Sequence, residues 1–166
     1  MGDVPMGDVP MGLEPDPQAT AAAEIQSDPL TETAISPPAS TLSAYQQIGG
    51  EPAVRVLVDR FYDLMDLSPA LAGIRALHPS HLDGSRDKLH WFLCGWMGGP
   101  NLYVERFGHP RLRARHLHVA IGITERDQWL VCMRQAMAEC GVPPDLAQRL
   151  AKSFFGTADW MRNQGG

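Results

Sequence analysis

The residue types best suited to chemistry lie together in one short segment, residues 108–116. This segment ends at His116, and Arg111, Arg113 and Arg115 precede it at alternate positions. An imidazole is a common metal ligand, and guanidinium groups bind carboxylates in a fixed geometry. The segment therefore combines the two kinds of group that a metal cofactor with an anionic edge requires.

We interpret His116 as the axial ligand of a haem iron, with the arginines near the carboxylates at the edge of the haem. A neutral imidazole is the usual axial ligand in oxygen-binding haem proteins. Pro110 can begin a helix of one or two turns, which gives the imidazole a short and rigid mounting. The simpler interpretations are a partly buried structural histidine and a solvated basic surface.

Three further residues could hold a ligand on the opposite side of such a cofactor. Tyr62 lies four residues after Val58 on a helical stripe, so we expect its hydroxyl to point inward. Trp129 lies on the apolar face of a later helix, and His78 ends a short helix. Buried Tyr and Trp need hydrogen-bond partners, which either a ligand or the backbone of the core would supply.

A metal site without haem is a weaker hypothesis. His90 and Cys94 are four residues apart, and His78 and His81 are three apart. Neither pair is matched by a second pair at the separation that zinc sites use. We therefore expect His90 to lie on an exposed side of its helix.

The hydrophobic periodicity predicts an all-α domain. Proline and glycine positions divide it into segments, and strand alternation is not evident. Thr124 and Asp127 have the spacing of a capping box, and residues 101–107 read as a loop. The predicted helices cover residues 41–48, 51–66, 68–77, 82–97, 124–140 and 143–161.

Composition separates residues 1–40 from a domain at residues 41–163. The first ten residues repeat Met-Gly-Asp-Val-Pro, and residues 1–39 contain seven acidic residues and no Lys or Arg. We expect this Pro-rich, acidic tail to be disordered. The acidic tail accounts for the net charge of −5, and the remaining domain is near neutral, which argues against nucleic acid as a partner.

No membrane span or secretory signal is evident, which predicts a cytoplasmic protein with reduced cysteines.

The chain resembles the truncated haemoglobins, and among them the group II, haemoglobin O-like members. The resemblance covers residues 41–160, and its most diagnostic segment is Gly-His-Pro-Arg-Leu-Arg-Ala-Arg-His at residues 108–116. Other matching segments include Arg-Phe-Tyr at residues 60–62, Gly-Gly-Pro at 98–100, and Glu-Arg-Asp at 125–127 with Trp-Leu at 129–130.

This resemblance implies a two-over-two helical sandwich, the truncated globin fold, that binds haem b. It makes His116 the proximal iron ligand, with the Arg-x-Arg-His spacing favouring it over His118. It makes Tyr62, Trp129 and His78 the distal residues, with His78 also a candidate sixth ligand of the iron. We expect further contacts with the haem from seven residues: Ser85, Lys88, Leu89, Phe92, Tyr103, Arg113 and Arg115.

The function expected from these residues is binding of O₂, NO and CO at the iron, as in oxygen binding or transport. The same residues would serve NO dioxygenation or peroxidase-type chemistry with an external reductase. A third hypothesis is a helical interaction or sensor domain without haem, since fold alone does not determine function.

Overall fold

The computed structural model describes residues 41–165, which form eight α-helices, a 3₁₀ turn at Pro69–Leu71 and no strand. The prediction of an all-α domain is confirmed, whereas the predicted disordered tail lies outside the described residues. The helices are α1 (Ala44–Ile48), α2 (Glu51–Leu67), α3 (Ala72–Ala76), α4 (Asp83–Trp96), α5 (Leu102–Phe107), α6 (Leu112–His116), α7 (Ile123–Glu139) and α8 (Pro144–Trp160).

The four long helices pack as two crossed pairs. Helix α2 packs on α4, α7 packs on α8, and α2 also packs on α7, which joins the pairs. At the centre, the Trp129 ring lies 5.2 Å from Phe61 of α2 and 5.4 Å from Phe154 of α8. Rings at these separations contribute both buried apolar area and favourable edge-to-face contacts. This arrangement confirms the two-over-two sandwich.

The sequence explains where α1 begins and ends and where α2 begins. Ser43 accepts a hydrogen bond from the backbone N–H of Gln46, whose side chain bonds back to the Ser43 backbone. Helix α1 stops at Gly49, which has a left-handed φ of 116° that favours glycine. Pro52 then occupies the first turn of α2, where a missing N–H costs nothing. The helix predicted at residues 51–66 is confirmed to within one residue.

Arg86 of α4 connects that helix to α2. Its guanidinium donates to the Asp63 carboxylate at 2.6 Å and to the Asp59 backbone carbonyl at 2.8 Å. It also lies 5.8 Å from the centre of the Tyr62 ring. These contacts fix the separation of α2 and α4 beside Tyr62.

The predictions for residues 101–107 and for the start of α7 were wrong. Residues 102–107, predicted as a loop, form helix α5, which is stabilised by Tyr103 packing on Phe92 of α4. Helix α7 begins before the predicted cap at Thr124, because Glu125 accepts a hydrogen bond from the Gly122 N–H at 2.8 Å. An isolated helix as short as α5 is marginal, so the sequence pattern alone carries little signal for it.

The three cysteines are free thiols. Cys94 and Cys132 are buried and Cys140 is partly buried. Burial raises the pKa of Cys94 to about 11 and that of Cys132 to about 12, so both stay protonated and unreactive at neutral pH. Within residues 41–165, no helix has the length and apolarity needed to cross a membrane.

Candidate haem-binding site

His116 is the last residue of the five-residue helix α6, and its side chain is 3% exposed. Its Nδ1 atom lies 2.6 Å from the backbone carbonyl oxygen of Leu112. A carbonyl oxygen only accepts, so the hydrogen must lie on Nδ1, and a neutral ring then carries its lone pair on Nε2. This is the state in which a histidine ligates a metal through Nε2.

Helix α6 starts later than Pro110, because the backbone of Arg111 is not in the right-handed helical conformation. Arg111 has a left-handed φ of 46°, and the helix begins at the next residue, Leu112. The expectation that Pro110 begins the helix was therefore wrong by two residues. The result is an even shorter helix, in which the carbonyl of Leu112 lies one turn before His116.

The loop that follows His116 is held by Asn163, a residue that the sequence analysis did not single out. The Asn163 amide donates to the carbonyl oxygens of Val119 at 2.7 Å and His116 at 3.2 Å. Its Oδ1 atom accepts from the Ile121 N–H at 3.0 Å. One side chain beyond the last helix therefore fixes the backbone on the C-terminal side of His116.

Replacing Asn163 with Ala should destabilise the protein by about 1–3 kcal/mol, because three backbone groups each lose a hydrogen bond. The measurement is the free energy of unfolding in urea. Gln148→Ala is the matched control, since that amide side chain is exposed on α8, and a change within about 0.5 kcal/mol is expected there. Equal effects of the two substitutions would contradict this account of Asn163.

The two histidines of this segment differ in exposure, because His116 is buried and His118 is exposed. The arginines near them are also exposed, and they differ in their neighbours. Arg115 is close enough to Tyr103 to lower the pKa of its hydroxyl, although burial, the larger effect, raises it. Arg113 donates to the Trp160 backbone carbonyl at 2.5 Å and stacks over the Trp160 ring, so it contacts the end of α8.

Helix α4 supplies a stripe of predicted contacts that runs along one face. Ser85, Leu89 and Phe92 are buried, and Lys88 is half-buried with its ammonium 6.0 Å from the Phe107 ring centre. Tyr103 of α5 continues this surface, since its ring lies 6.1 Å from that of Phe92. The stripe is mainly apolar with a cation at its edge, which suits a flat apolar cofactor with carboxylates on its rim.

The predicted distal residues form a continuous row of aromatic rings. The Tyr62 ring lies 5.7 Å from His78 and 5.0 Å from Phe61, and Phe61 in turn contacts Trp129. Tyr62 is fully buried and Trp129 is 2% exposed. Phe61 thus links Tyr62 of its own helix, α2, to Trp129 of α7.

His78 has the same ring geometry as His116. Its Nδ1 atom lies 2.7 Å from the Ile74 carbonyl oxygen, so Nδ1 carries a hydrogen. Burial lowers the pKa of His78, and the nearby Arg75 and His116 lower it further. The neutral ring therefore presents an unprotonated Nε2, which can accept a hydrogen bond or bind a metal but cannot donate.

The alternative metal site based on His90 has no support. His90 is buried rather than exposed as predicted, because it lies against α2, with Nε2 3.8 Å from the Glu51 carboxylate. Across the described part of the chain, no group of three or more His, Cys, Asp or Glu side chains could hold a metal ion. An axial haem ligand needs one histidine only, so this finding leaves the His116 interpretation intact.

Comparison with known proteins places this site in a family context. The sequence profile of the family described as "Bacterial-like globin" matches residues 43–163. Group 2 truncated hemoglobin YjbI of Bacillus subtilis (strain 168) is 39% identical over 120 residues, which is 72% of this chain and 88% of that protein.

Solved structures agree with the sequence match. The group II 2-on-2 hemoglobin of Agrobacterium tumefaciens superposes with a TM-score of 0.73 at 44% identity, over 77% of this chain and 99% of that one. The cold-adapted truncated hemoglobin of Pseudoalteromonas haloplanktis TAC125 gives a TM-score of 0.72 at 37% identity, over 75% and 100% of the two chains. The chain therefore belongs to the bacterial-like globin family, with group 2 truncated haemoglobins among its relatives.

Proposed function

We propose that this protein holds haem b through His116 and binds O₂, with Tyr62 and Trp129 as hydrogen-bond donors to the ligand. Members of the globin family bind haem and small gaseous ligands such as O₂. When bound, a ferrous haem supplies the iron coordination that such gases require. The residues of this chain determine how the haem is oriented and how the ligand is retained.

The observation that carries the proposal is the state of the His116 side chain. It is buried, it is held at Nδ1 by the Leu112 carbonyl, and its loop is held by Asn163. A solvated or purely structural histidine does not require Nε2 to keep its lone pair in a fixed direction. An iron ligand does require this.

On the haem faces and edge, the other residues have complementary roles. Leu89 and Phe92 would exclude water from the ring, while Lys88 and Arg115 would attract its carboxylates. Tyr62 and Trp129 can donate hydrogen bonds, and a ligand that gains partial negative charge is stabilised by such donors. Ser85 offers a smaller hydroxyl on the same face of α4 as Leu89 and Phe92. Arg113 would act from α6, where it also contacts the end of α8.

His78 differs from the other distal residues because its Nε2 atom has no hydrogen in the neutral ring. We infer that His78 accepts a hydrogen bond, with Tyr62, whose ring lies 5.7 Å from the His78 ring, as a candidate donor, or binds the iron as a sixth ligand. As an acceptor, His78 would orient a donor that holds the gas. As a sixth ligand, it would compete with the gas for the iron. Donation from Nε2 would require protonation, which burial opposes.

The test is an absorption spectrum of the protein supplied with haem, in the ferric, ferrous and CO-bound forms. A sharp Soret band that shifts with CO supports the proposal, and CO and NO would then be further ligands. Failure to take up haem would contradict it and leave a helical interaction domain. NO consumption measured with an external reductase would show whether the same site also catalyses NO dioxygenation.

A further inference from the structure

Helix α3 lacks a cap from its own residues and obtains one from α7. The first N–H groups of a helix have no partner within the helix, and Leu71, the residue before α3, provides no side-chain hydrogen bond. Instead, the Gln128 side-chain oxygen accepts from the Ile74 N–H at 3.0 Å. Ile74 is the third residue of α3, the position that a helix cap normally satisfies.

Ile74 connects Gln128 to His78 through its backbone. The N–H of Ile74 is held by Gln128, and its carbonyl accepts the hydrogen bond from His78 Nδ1 at 2.7 Å. Ile74 itself is fully buried. The position of the His78 ring and the nitrogen that carries its hydrogen therefore depend on a backbone segment that Gln128 fixes.

Gly73 makes the close approach of Gln128 to α3 possible. A Cβ atom at Gly73 would lie 2.6 Å from the Gln128 side-chain oxygen, closer than any ordinary contact. The backbone of Gly73 needs no unusual φ, so an alanine would fit the helix and, as the better helix former, favour it. The space left by Gly73 thus serves the contact with Gln128.

We propose that Gln128 is a positioning residue, which sets the tautomer and orientation of His78 through Ile74. The inference deepens the proposed function, on which it rests, by adding a residue that touches neither haem nor ligand. Gln128 directly precedes Trp129 on α7, so one helix turn supplies a distal donor and also holds the distal histidine. Loss of the Gln128 acceptor should free the His78 ring to populate both tautomers.

The experiment is long-range ¹H–¹⁵N NMR of the His78 ring in the ferrous CO form of the full chain, together with exchange of the Ile74 amide hydrogen. Gln128→Met keeps the length of the side chain and removes the acceptor, while Gln128→Glu keeps an acceptor. Gly73→Ala displaces the Gln128 side chain without changing it. Gln135→Met is the matched control, because Gln135 lies on the same helix, is exposed and bonds only Glu139 among the contacts described.

Wild type, Gln128→Glu and Gln135→Met should show a protonated Nδ1 and an unprotonated Nε2 at His78. Gln128→Met and Gly73→Ala should show averaged nitrogen shifts, and the Ile74 amide should exchange roughly two- to tenfold faster. Unchanged His78 nitrogens in both of these variants would overturn the inference. A protein that takes up no haem would contradict the proposed function instead, and the same NMR measurement on the protein as purified would still test Gln128.

Discussion

Replacing His116 with Ala should abolish stable haem binding. Loss of a residue that merely orients a metal ligand lowers metal affinity about 10–100-fold. Loss of the ligand itself should therefore lower the haem affinity by more than this factor. The Soret band should be absent or broad, and haem should transfer rapidly to a competing apoprotein. The rate of that transfer, followed by absorption, is the measurement.

The chain offers a matched control two residues away. His118 is exposed and His116 is buried, so His118→Ala should retain haem with a spectrum like that of the wild type. A smaller substitution, His116→Gly, should leave a space that free imidazole can fill, with recovery of the spectrum. Haem retention by His116→Ala and its loss in His118→Ala would show that the ligand was assigned to the wrong histidine.

The sequence could predict the framework of this site because the signals involved are local. Helical periodicity placed Tyr62 and Trp129 on buried faces, and both are buried. The start of α2 followed from the glycines before it and from Pro52, residues whose backbone preferences do not depend on the rest of the fold. The imidazole of His116 could be predicted as a ligand from neighbouring residues and from the family resemblance.

The remaining features depend on residues that are distant in the sequence. Asn163 lies 47 residues from His116, and Gln128 lies 54 residues from Ile74. Neither side chain has a local pattern that marks its role, because each acts by meeting a backbone group of another element. The burial of His90 was missed for the same reason, since α2 covers it. Such contacts become visible only when the helices are assembled.

Ring tautomers are a second feature that sequence could not give. His78 and His116 both donate from Nδ1 to a carbonyl four residues earlier, which leaves Nε2 unprotonated in each neutral ring. From the sequence, His78 was predicted both to stabilise the ligand alongside Tyr62 and Trp129 and to be a candidate sixth ligand of the iron. Under the proposed function, donation to the ligand would therefore fall to Tyr62 and Trp129, and His78 would act as an acceptor or as the sixth ligand.

Replacing Trp129 with Phe should accelerate O₂ dissociation about ten- to a hundredfold. The reason is loss of one donor to a partly negative ligand, which contributes about 1.5–3 kcal/mol. Phenylalanine keeps an aromatic ring between Phe61 and Phe154, so the fold should persist. The measurement is the O₂ dissociation rate of the ferrous protein by stopped flow, and an unchanged rate would contradict the role assigned to Trp129.

Two controls separate hydrogen bonding from packing in this prediction. Trp91→Phe changes a tryptophan that contacts Arg106 and Phe107, away from the row of rings, and should leave the O₂ rate unchanged. CO carries less negative charge than O₂ in such a site, so its dissociation from Trp129→Phe should change much less. If CO and O₂ rates rise together, Trp129 acts by filling space, and Tyr62 would be the remaining donor of the distal pocket.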